Sequence, residues 1–262
     1  MYPLWNDVLE PALLAVQATR VIEVGAMRGE TTERLLQFLG PGSELHVIDP
    51  VPMFDPAEHA SRFPGRYVFH RDISHNVLAD LPPADAALID GDHNWFTVYH
   101  ELRLLRATAR SSGSPMPLVI MHDVCWPYGR RDLYYSPERI PDEYRKPHEA
   151  RGVLPEQRGL APQGGLNQHL ENAIEEGGPR NGVMTALDDF AEEHDRALRR
   201  VVVPIYHGLA LVADQDLLDT RPRLGGLLDR LESATGRYEL MELSEAIRVR
   251  EQIDCQGTLP PG

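Results

Sequence analysis

Residues 20–36, RVIEVGAMRGETTERLL, constrain the fold of this chain more than any other segment. Residues 21–24 form a short apolar run, rich in β-branched side chains, that is typical of a buried strand. Gly25 follows at once, Gly29 comes four residues later, and an amphipathic helix then begins near Thr31. Glycines let a backbone approach a ligand closely, and a helix N-terminus has unsatisfied N–H groups. The segment therefore predicts a nucleotide-binding corner, with a plain strand-turn-helix corner as the alternative.

The spacing of the glycines indicates which ligand is expected. A G-x-G-x-x-G turn sets a helix N-terminus against a pyrophosphate. Here the pattern is E-x-G-x-x-x-G, with Glu23 ahead of Gly25 and Gly29. A carboxylate at the end of this strand suits a cationic ligand better than a diphosphate. In these three residues the chain resembles the first motif of the class I S-adenosylmethionine-dependent methyltransferases.

Strands and helices alternate along the rest of the chain. Further strands are predicted at 44–48, 66–70, 84–89 and 118–121, and a hairpin signal at His207-Gly208 joins strands at 201–206 and 209–213. We expect a Rossmann-like α/β fold whose seven-stranded sheet is mostly parallel, with the last strand antiparallel and helices on both faces. This resembles the class I methyltransferase sheet, and the resemblance covers roughly residues 20–213.

The chain length favours one domain over residues 1–262, with two additions to the sheet. Residues 4–18 are predicted to form a helix that Pro11 interrupts, packed on the sheet edge or in a dimer contact. Residues 126–182 are too long for an ordinary loop, so we expect a substrate-binding lid there. Residues 215–262 are predicted to be a helical extension, with helices near 224–233 and 244–251.

Three predicted strands end in acids, at Asp49, Asp90 and Asp123. Ligands bind at the carboxyl ends of such strands, so we expect these acids to converge on one cleft, with Asp90 reaching the cofactor. Asp49 lies at the distance from the glycine turn where an acid accepts ribose hydroxyls, and a cap is the alternative. Asp72 and Ile73, after the third strand, are predicted to contact adenine; an N-cap role for Asp72 is equally open.

Two motifs narrow the resemblance. ALIDGDHNWFTVYHELRLL and LVIMHDV resemble the methyltransferase-24-type family, which is related to catechol and macrolide sugar O-methyltransferases. The resemblance implies a divalent cation, usually magnesium, held by Asp90, Asp123 and His122, and His122 stands where the catechol enzymes have an aspartate. Asp92 is a possible further ligand. The alternative is that the acids cap loops or orient His93.

The resemblance also implies a catalytic base. His93 lies three residues after Asp90, at a position where the macrolide sugar enzymes place a catalytic histidine. We expect His93 and Asp90 to act on the acceptor hydroxyl, because a positioned histidine is the usual base at neutral pH. The alternatives are that His93 packs on Trp95 beside the helix start, or that His122 is the base.

Arginines interleave with tyrosines in the insertion, a pattern that suits a planar or anionic acceptor. Arg130, Arg131 and Tyr134 are the predicted acceptor-binding residues. The alternative is a solvated lid whose arginines pair with its own acids.

Composition excludes some partners. The formal net charge of −14 argues against nucleic acid, which calls for a basic face. No apolar run reaches transmembrane length, no signal peptide is recognised, and two cysteines make no zinc spacing. We therefore expect a homodimer of the reducing cytoplasm that acts on a small molecule, without membrane or nucleic acid.

The function predicted from the sequence is S-adenosylmethionine-dependent methylation of a hydroxyl on a sugar or phenolic natural product, in secondary metabolism. An N-methyltransferase, a non-catalytic cofactor-binding protein and a nicotinamide-dependent oxidoreductase are the alternatives. The glycine spacing and the acids after the fourth and fifth strands speak against the oxidoreductase.

Overall fold

The computed structural model describes residues 1–257, so the last five residues of the predicted C-terminal extension lie outside the described residues. Ten strands are present in this part of the chain: β1 (Arg20–Val24), β2 (Glu44–Ile48), β3 (Tyr67–His70), β4 (Ala86–Ile89), β5 (Leu118–His122), β6 (Leu133–Tyr134), β7 (His148–Ala150), β8 (Glu171–Ala173), β9 (Leu198–Val203) and β10 (Leu209–Asp214). Seven of them form the main sheet, in the order β3-β2-β1-β4-β5-β10-β9. The first five strands in this order, β3, β2, β1, β4 and β5, run parallel. Strand β10 pairs antiparallel with both β5 and β9. The predicted seven-stranded sheet with its antiparallel last strand is confirmed.

Nine α-helices accompany the strands in the described residues: α1 (Glu10–Ala15), α2 (Glu30–Phe38), α3 (Pro56–Arg62), α4 (Ser74–Val77), α5 (Trp95–Ser111), α6 (Val183–Glu193), α7 (Gln215–Thr220), α8 (Pro222–Glu232) and α9 (Ala234–Gly257). None of them is long and apolar enough to cross a membrane. The predicted helix at 4–18 is instead a 3₁₀ turn at Tyr2–Leu4, a π turn at Trp5–Leu9 and α1. Pro11 explains part of this break, since it has no N–H to donate within a helix.

Two buried clusters cover the two faces of the sheet. Every residue of β4, β5 and β10 is buried, as expected of strands with helices on both sides. One cluster joins the sheet to α1, α2, α8 and α9, and the other joins it to α5 and α6. Burial on both faces fixes the central strands, and their C-terminal ends carry the residues of the candidate site.

The insertion at 126–182 is a folded piece of structure. It contains a small sheet of order β6-β8-β7 and a 3₁₀ turn at Pro137–Arg139. The sequence pattern missed this sheet, because strands of two or three residues are too short to show an alternation of polar and apolar side chains. The C-terminal extension is helical as predicted, although α9 begins ten residues earlier than the pattern indicated.

Candidate active site

Gly25 and Gly29 both adopt left-handed backbone conformations, with φ of 81° and 78°. A Cβ atom at Gly25 would collide with the carbonyl oxygen of Asp90 and the Cα of Gly91, while one at Gly29 would lie 3.2 Å from the Phe54 ring. The backbone at Gly25 therefore lies close to the loop that follows β4. The glycine brings the turn after β1 and the acidic loop after β4 together, a role that the motif alone did not reveal.

Glu23 lies below this turn and is buried. Its carboxyl group accepts a hydrogen bond of 2.6 Å from the hydroxyl of Thr32 on α2. Burial raises the pKa of Glu23 to about 8, so the side chain holds a proton at neutral pH. Its predicted role toward a cationic ligand stays a prediction, and in this structure Glu23 ties β1 to α2.

Asp49 closes the glycine turn. Its Oδ2 accepts hydrogen bonds of 2.9 Å from the backbone N–H groups of Ala26 and Met27, and its Oδ1 accepts one of 2.8 Å from that of Val51. The capping alternative is thus realised. A carboxylate oxygen can accept two hydrogen bonds, so Oδ1 keeps one free acceptor position that a ribose hydroxyl could use.

Asp72 lies just before α4, whose N-cap is Ile73. Its Oδ1 accepts hydrogen bonds from the backbone N–H of Ile73, at 2.7 Å, and from the side chain of Asn76, at 2.9 Å. The N-cap alternative for Asp72 is wrong, because Ile73 occupies that position and no side chain caps the helix. The predicted adenine contacts of Asp72 and Ile73 stay predictions.

The centre of the candidate site is a cluster of two acids and two histidines at the ends of β4 and β5. The imidazole of His122 places Nδ1 2.8 Å from Asp123 Oδ2 and 3.2 Å from Asp90 Oδ1. The imidazole of His93 places Nε2 3.3 Å from Asp123 Oδ2 and 3.8 Å from Asp90 Oδ1. Asp90 and Asp123 therefore converge as predicted from their strand ends, and the cluster of Asp90, His93, His122 and Asp123 is called the acid–imidazole cluster below.

The groups of the acid–imidazole cluster shift one another's pKa values toward the charged forms. Burial opposes the charged form of each imidazole, but the carboxylates of Asp90 and Asp123 outweigh it and raise the pKa of His122 to about 9 and that of His93 above its usual value. Burial also opposes ionisation of the acids, yet the Met1 ammonium, 3.2 Å from Asp90 Oδ2, and His122 hold the pKa of Asp90 well below its usual range. His122 is therefore cationic at neutral pH in this arrangement, and the charged form of His93 is favoured.

The donor atoms fit a divalent cation in part. Asp90, His93 and Asp123 are the one group of three metal-type ligands found in the described residues, with donor atoms within 4.8 Å of one another. Neither ring nitrogen of His93 has a hydrogen-bond partner there, so in the neutral form of the ring one nitrogen lone pair is open to a ligand role. His93 thus takes the place in this group where the sequence suggested His122, whose Nδ1 is bonded to Asp123. Asp92 is occupied as an acceptor for the Thr97 hydroxyl, at 2.8 Å.

The three predicted acceptor-binding residues all have partners inside the protein. Arg131 is buried, and its guanidinium donates to the backbone carbonyls of Ala173, Ile174 and Arg158. The guanidinium of Arg130 lies 2.7 Å from the carboxylate of Asp188 on α6. These contacts favour the alternative of internal pairing for both arginines, and their acceptor role stays a prediction.

Tyr134 donates its hydroxyl to Asp132, a residue that the sequence analysis missed. The buried Asp132 carboxylate also accepts hydrogen bonds from the backbone N–H groups of Trp95, at 2.7 Å, and Gly182, at 2.6 Å. Asp132 thereby joins the start of α5, the start of α6 and the insertion. No periodic signal marks a single aspartate in an irregular segment, so only the folded structure identifies it.

The sequence matches no family model and no curated protein. Solved structures are similar in fold at low identity. The O-methyltransferase TomG from Streptomyces achromogenes, in complex with SAM, is 14% identical over 78% of this chain and 77% of its own, with a TM-score of 0.41. The SAH-bound methyltransferase PaMTH1 from Podospora anserina is 15% identical over 79% and 76%, with a TM-score of 0.44. The 1,6-didemethyltoxoflavin-N1-methyltransferase from Burkholderia thailandensis is 18% identical over 80% of both chains, with a TM-score of 0.43. A likeness this distant carries no argument about activity, cofactor or acceptor.

Proposed function

We propose that this protein is an S-adenosylmethionine-dependent methyltransferase that methylates a hydroxyl group of a small molecule, a sugar or phenolic natural product of secondary metabolism. The observation that carries the proposal is the acid–imidazole cluster, which lies at the C-terminal ends of β4 and β5 and touches the glycine turn of β1. Ligands of open α/β sheets bind at this edge.

The cofactor would lie along the glycine turn. S-adenosylmethionine supplies a methyl group on a sulfonium centre, and its ribose would use the open acceptor position of Asp49 Oδ1. Ile73 and Asp72, at the end of β3, would border the adenine.

His93 would prepare the acceptor hydroxyl. Its Nε2 lies between the carboxylates of Asp123 and Asp90, which orient the ring and stabilise its charged form. A histidine accepts a proton only in its neutral form, so the raised pKa of His93 moves its use as a base to higher pH. His122, with a pKa of about 9, would serve less readily.

A divalent cation such as Mg²⁺ is part of the proposal. Asp90, Asp123 and His93 would hold it, and it would supply Lewis-acid stabilisation of the acceptor oxyanion. Carboxylate oxygens suit magnesium, whereas a nitrogen ligand also suits manganese, iron or zinc. His93 cannot use one nitrogen both as a ligand and as a base, so the metal and the base are competing versions of the same site. A cytoplasmic homodimer is the assembly and location that we propose.

Cofactor binding tests the proposal first. Isothermal titration should show that S-adenosylhomocysteine binds with micromolar affinity or better. Asp49→Ala should weaken binding at least tenfold, because the variant loses the ribose acceptor and loosens the turn. Asp229→Ala, at an exposed position on α8, is the matched control and should bind like the wild type.

Thermal melts of both variants would separate a binding defect from unfolding. If the wild-type protein does not bind S-adenosylhomocysteine but quenches nicotinamide fluorescence, the protein is an oxidoreductase and the proposal is wrong. Tight cofactor binding without methyl transfer to any acceptor would favour a non-catalytic binding protein.

A further inference from the structure

Two tyrosines of the insertion pack on the ring of His93. Tyr128 is stacked on it, with ring centroids 5.5 Å apart and planes 27° apart, and Tyr135 meets it edge-on, at 5.8 Å and 64°. Tyr128 is buried, and its hydroxyl accepts a hydrogen bond of 2.6 Å from the Asn167 side chain. Tyr135 is 54% exposed. Tyr128 therefore forms a fixed inner wall, while Tyr135 presents aromatic surface outward beside the acid–imidazole cluster.

The position of Tyr135 is fixed by the main chain. The backbone N–H of Leu133 donates to the carbonyl of His93, at 3.0 Å, so β6 pairs directly with the loop that carries His93. Tyr134, the next residue, is buried and bonded to Asp132. Tyr135 follows immediately, so its ring is held over His93 by backbone pairing and by a buried anchor on its neighbour.

The phenol of Tyr135 is influenced by the acids of the cluster. Although part of the ring is exposed, enclosure of the phenol by the protein, together with the carboxylates of Asp123 and Asp90, raises the pKa of Tyr135. The phenol therefore keeps its proton at neutral pH.

Two further aromatic rings border the cluster at His122. The rings of Tyr206 and His207, in the hairpin between β9 and β10, lie 5.8 Å and 6.3 Å from that of His122. Both residues have positive φ, 51° and 65°, which is costly for side chains of this size. The hairpin holds them there partly through the bond of 2.9 Å from the Cys125 N–H to the His207 carbonyl.

We propose that Tyr135 is a specificity-determining residue that binds the ring of a planar, hydroxylated acceptor, so that the acceptor is aromatic rather than a sugar. This inference rests on the proposed methyltransferase function. It follows from the ring of Tyr135 held beside His93, from the buried wall of Tyr128, and from the rings of Tyr206 and His207 beside His122. Planar rings gain from stacked or edge-on contacts with such groups.

The test measures binding of catechol and of methyl rhamnoside to protein saturated with S-adenosylhomocysteine, followed by methyl transfer to each. Catechol should bind and accept a methyl group, and methyl rhamnoside should do neither. Tyr135→Ala should weaken catechol binding about three- to tenfold and raise its KM with little change in kcat, since one aromatic contact is lost. Tyr135→Phe should keep most of the affinity.

Tyr238→Ala, which truncates an exposed tyrosine of α9, is the control and should leave catechol binding unchanged. Preference for methyl rhamnoside, absence of catechol binding to the loaded protein, or an unchanged KM in Tyr135→Ala would each overturn the inference while leaving the proposed function standing. Failure of wild-type protein to bind S-adenosylhomocysteine would overturn the proposed function itself.

Discussion

At the scale of single residues, the acids at the strand ends could be predicted and their partners could not. Asp90 and Asp123 are found together because parallel strands present their C-terminal ends at one edge, which a sequence pattern reveals. Whether His93 or His122 is the nearer partner of a given carboxylate depends on distances that differ by a few tenths of an ångström. Side-chain geometry at that level is set by packing, which no spacing of residues records.

Gly25 offers a prediction at this scale. Gly25→Ala should lower the free energy of unfolding by about 3 kcal/mol or more. The alanine would have to adopt a left-handed backbone conformation, and its Cβ would press against the Asp90 backbone. The matched control is Gly42→Ala, where φ is 83° and a Cβ would meet no atom within 4 Å. That control should cost only the conformational term, about 1–2 kcal/mol.

Urea unfolding of both glycine variants measures the difference. Equal losses of unfolding free energy at the two positions would show that the loop after β4 moves away freely. The close approach of that loop to Gly25 would then not be needed to hold the site together.

At the scale of elements, the long insertion is the part of the chain that the sequence described least well. Its length and composition indicated a functional segment, but its sheet and its anchors at Asp132 and Arg131 depend on contacts between residues far apart in sequence. The hairpin of β9 and β10 was predicted, because its turn signal is local. Its first strand lies three residues earlier than predicted, so the connection spans residues 204–208 instead of two residues. Whether the insertion opens as a lid stays a prediction.

Asp132→Ala tests how the insertion is held. The change leaves the N–H groups of Trp95 and Gly182 and the hydroxyl of Tyr134 without their buried acceptor, and each such loss costs about 1–3 kcal/mol. We expect a lower melting temperature and faster amide hydrogen exchange at the starts of α5 and α6. Asp142→Ala, at an exposed position of the same insertion, should change neither quantity. Exchange that stays slow in Asp132→Ala would contradict the anchoring role.

At the scale of the whole molecule, the alternation of strands and helices was sufficient to predict the sheet. The apolar runs at β1, β4 and β5 read as strands buried on both faces, and they are. The sheet order requires β10 to enter between β5 and β9, and a hairpin after the last crossover helix produces that arrangement. The N-terminal segment was predicted less accurately, since its 3₁₀ and π turns share the apolar spacing of an α-helix.

The most direct test of the account is methyl transfer from S-adenosylmethionine to a panel of phenols and sugars, followed by mass spectrometry, with and without EDTA. His93→Ala should lose at least a hundredfold in rate while keeping its affinity for S-adenosylhomocysteine, and His169→Ala, at an exposed position, should be fully active. Because the pKa of His93 is raised, the wild-type rate should rise with pH and reach its plateau at a higher pH than an ordinary histidine would give, if His93 is the base. Loss of activity in EDTA that magnesium or manganese restores would assign His93 to the cation instead. A wild-type enzyme that binds cofactor but transfers no methyl group, or a fully active His93→Ala variant, would contradict the account.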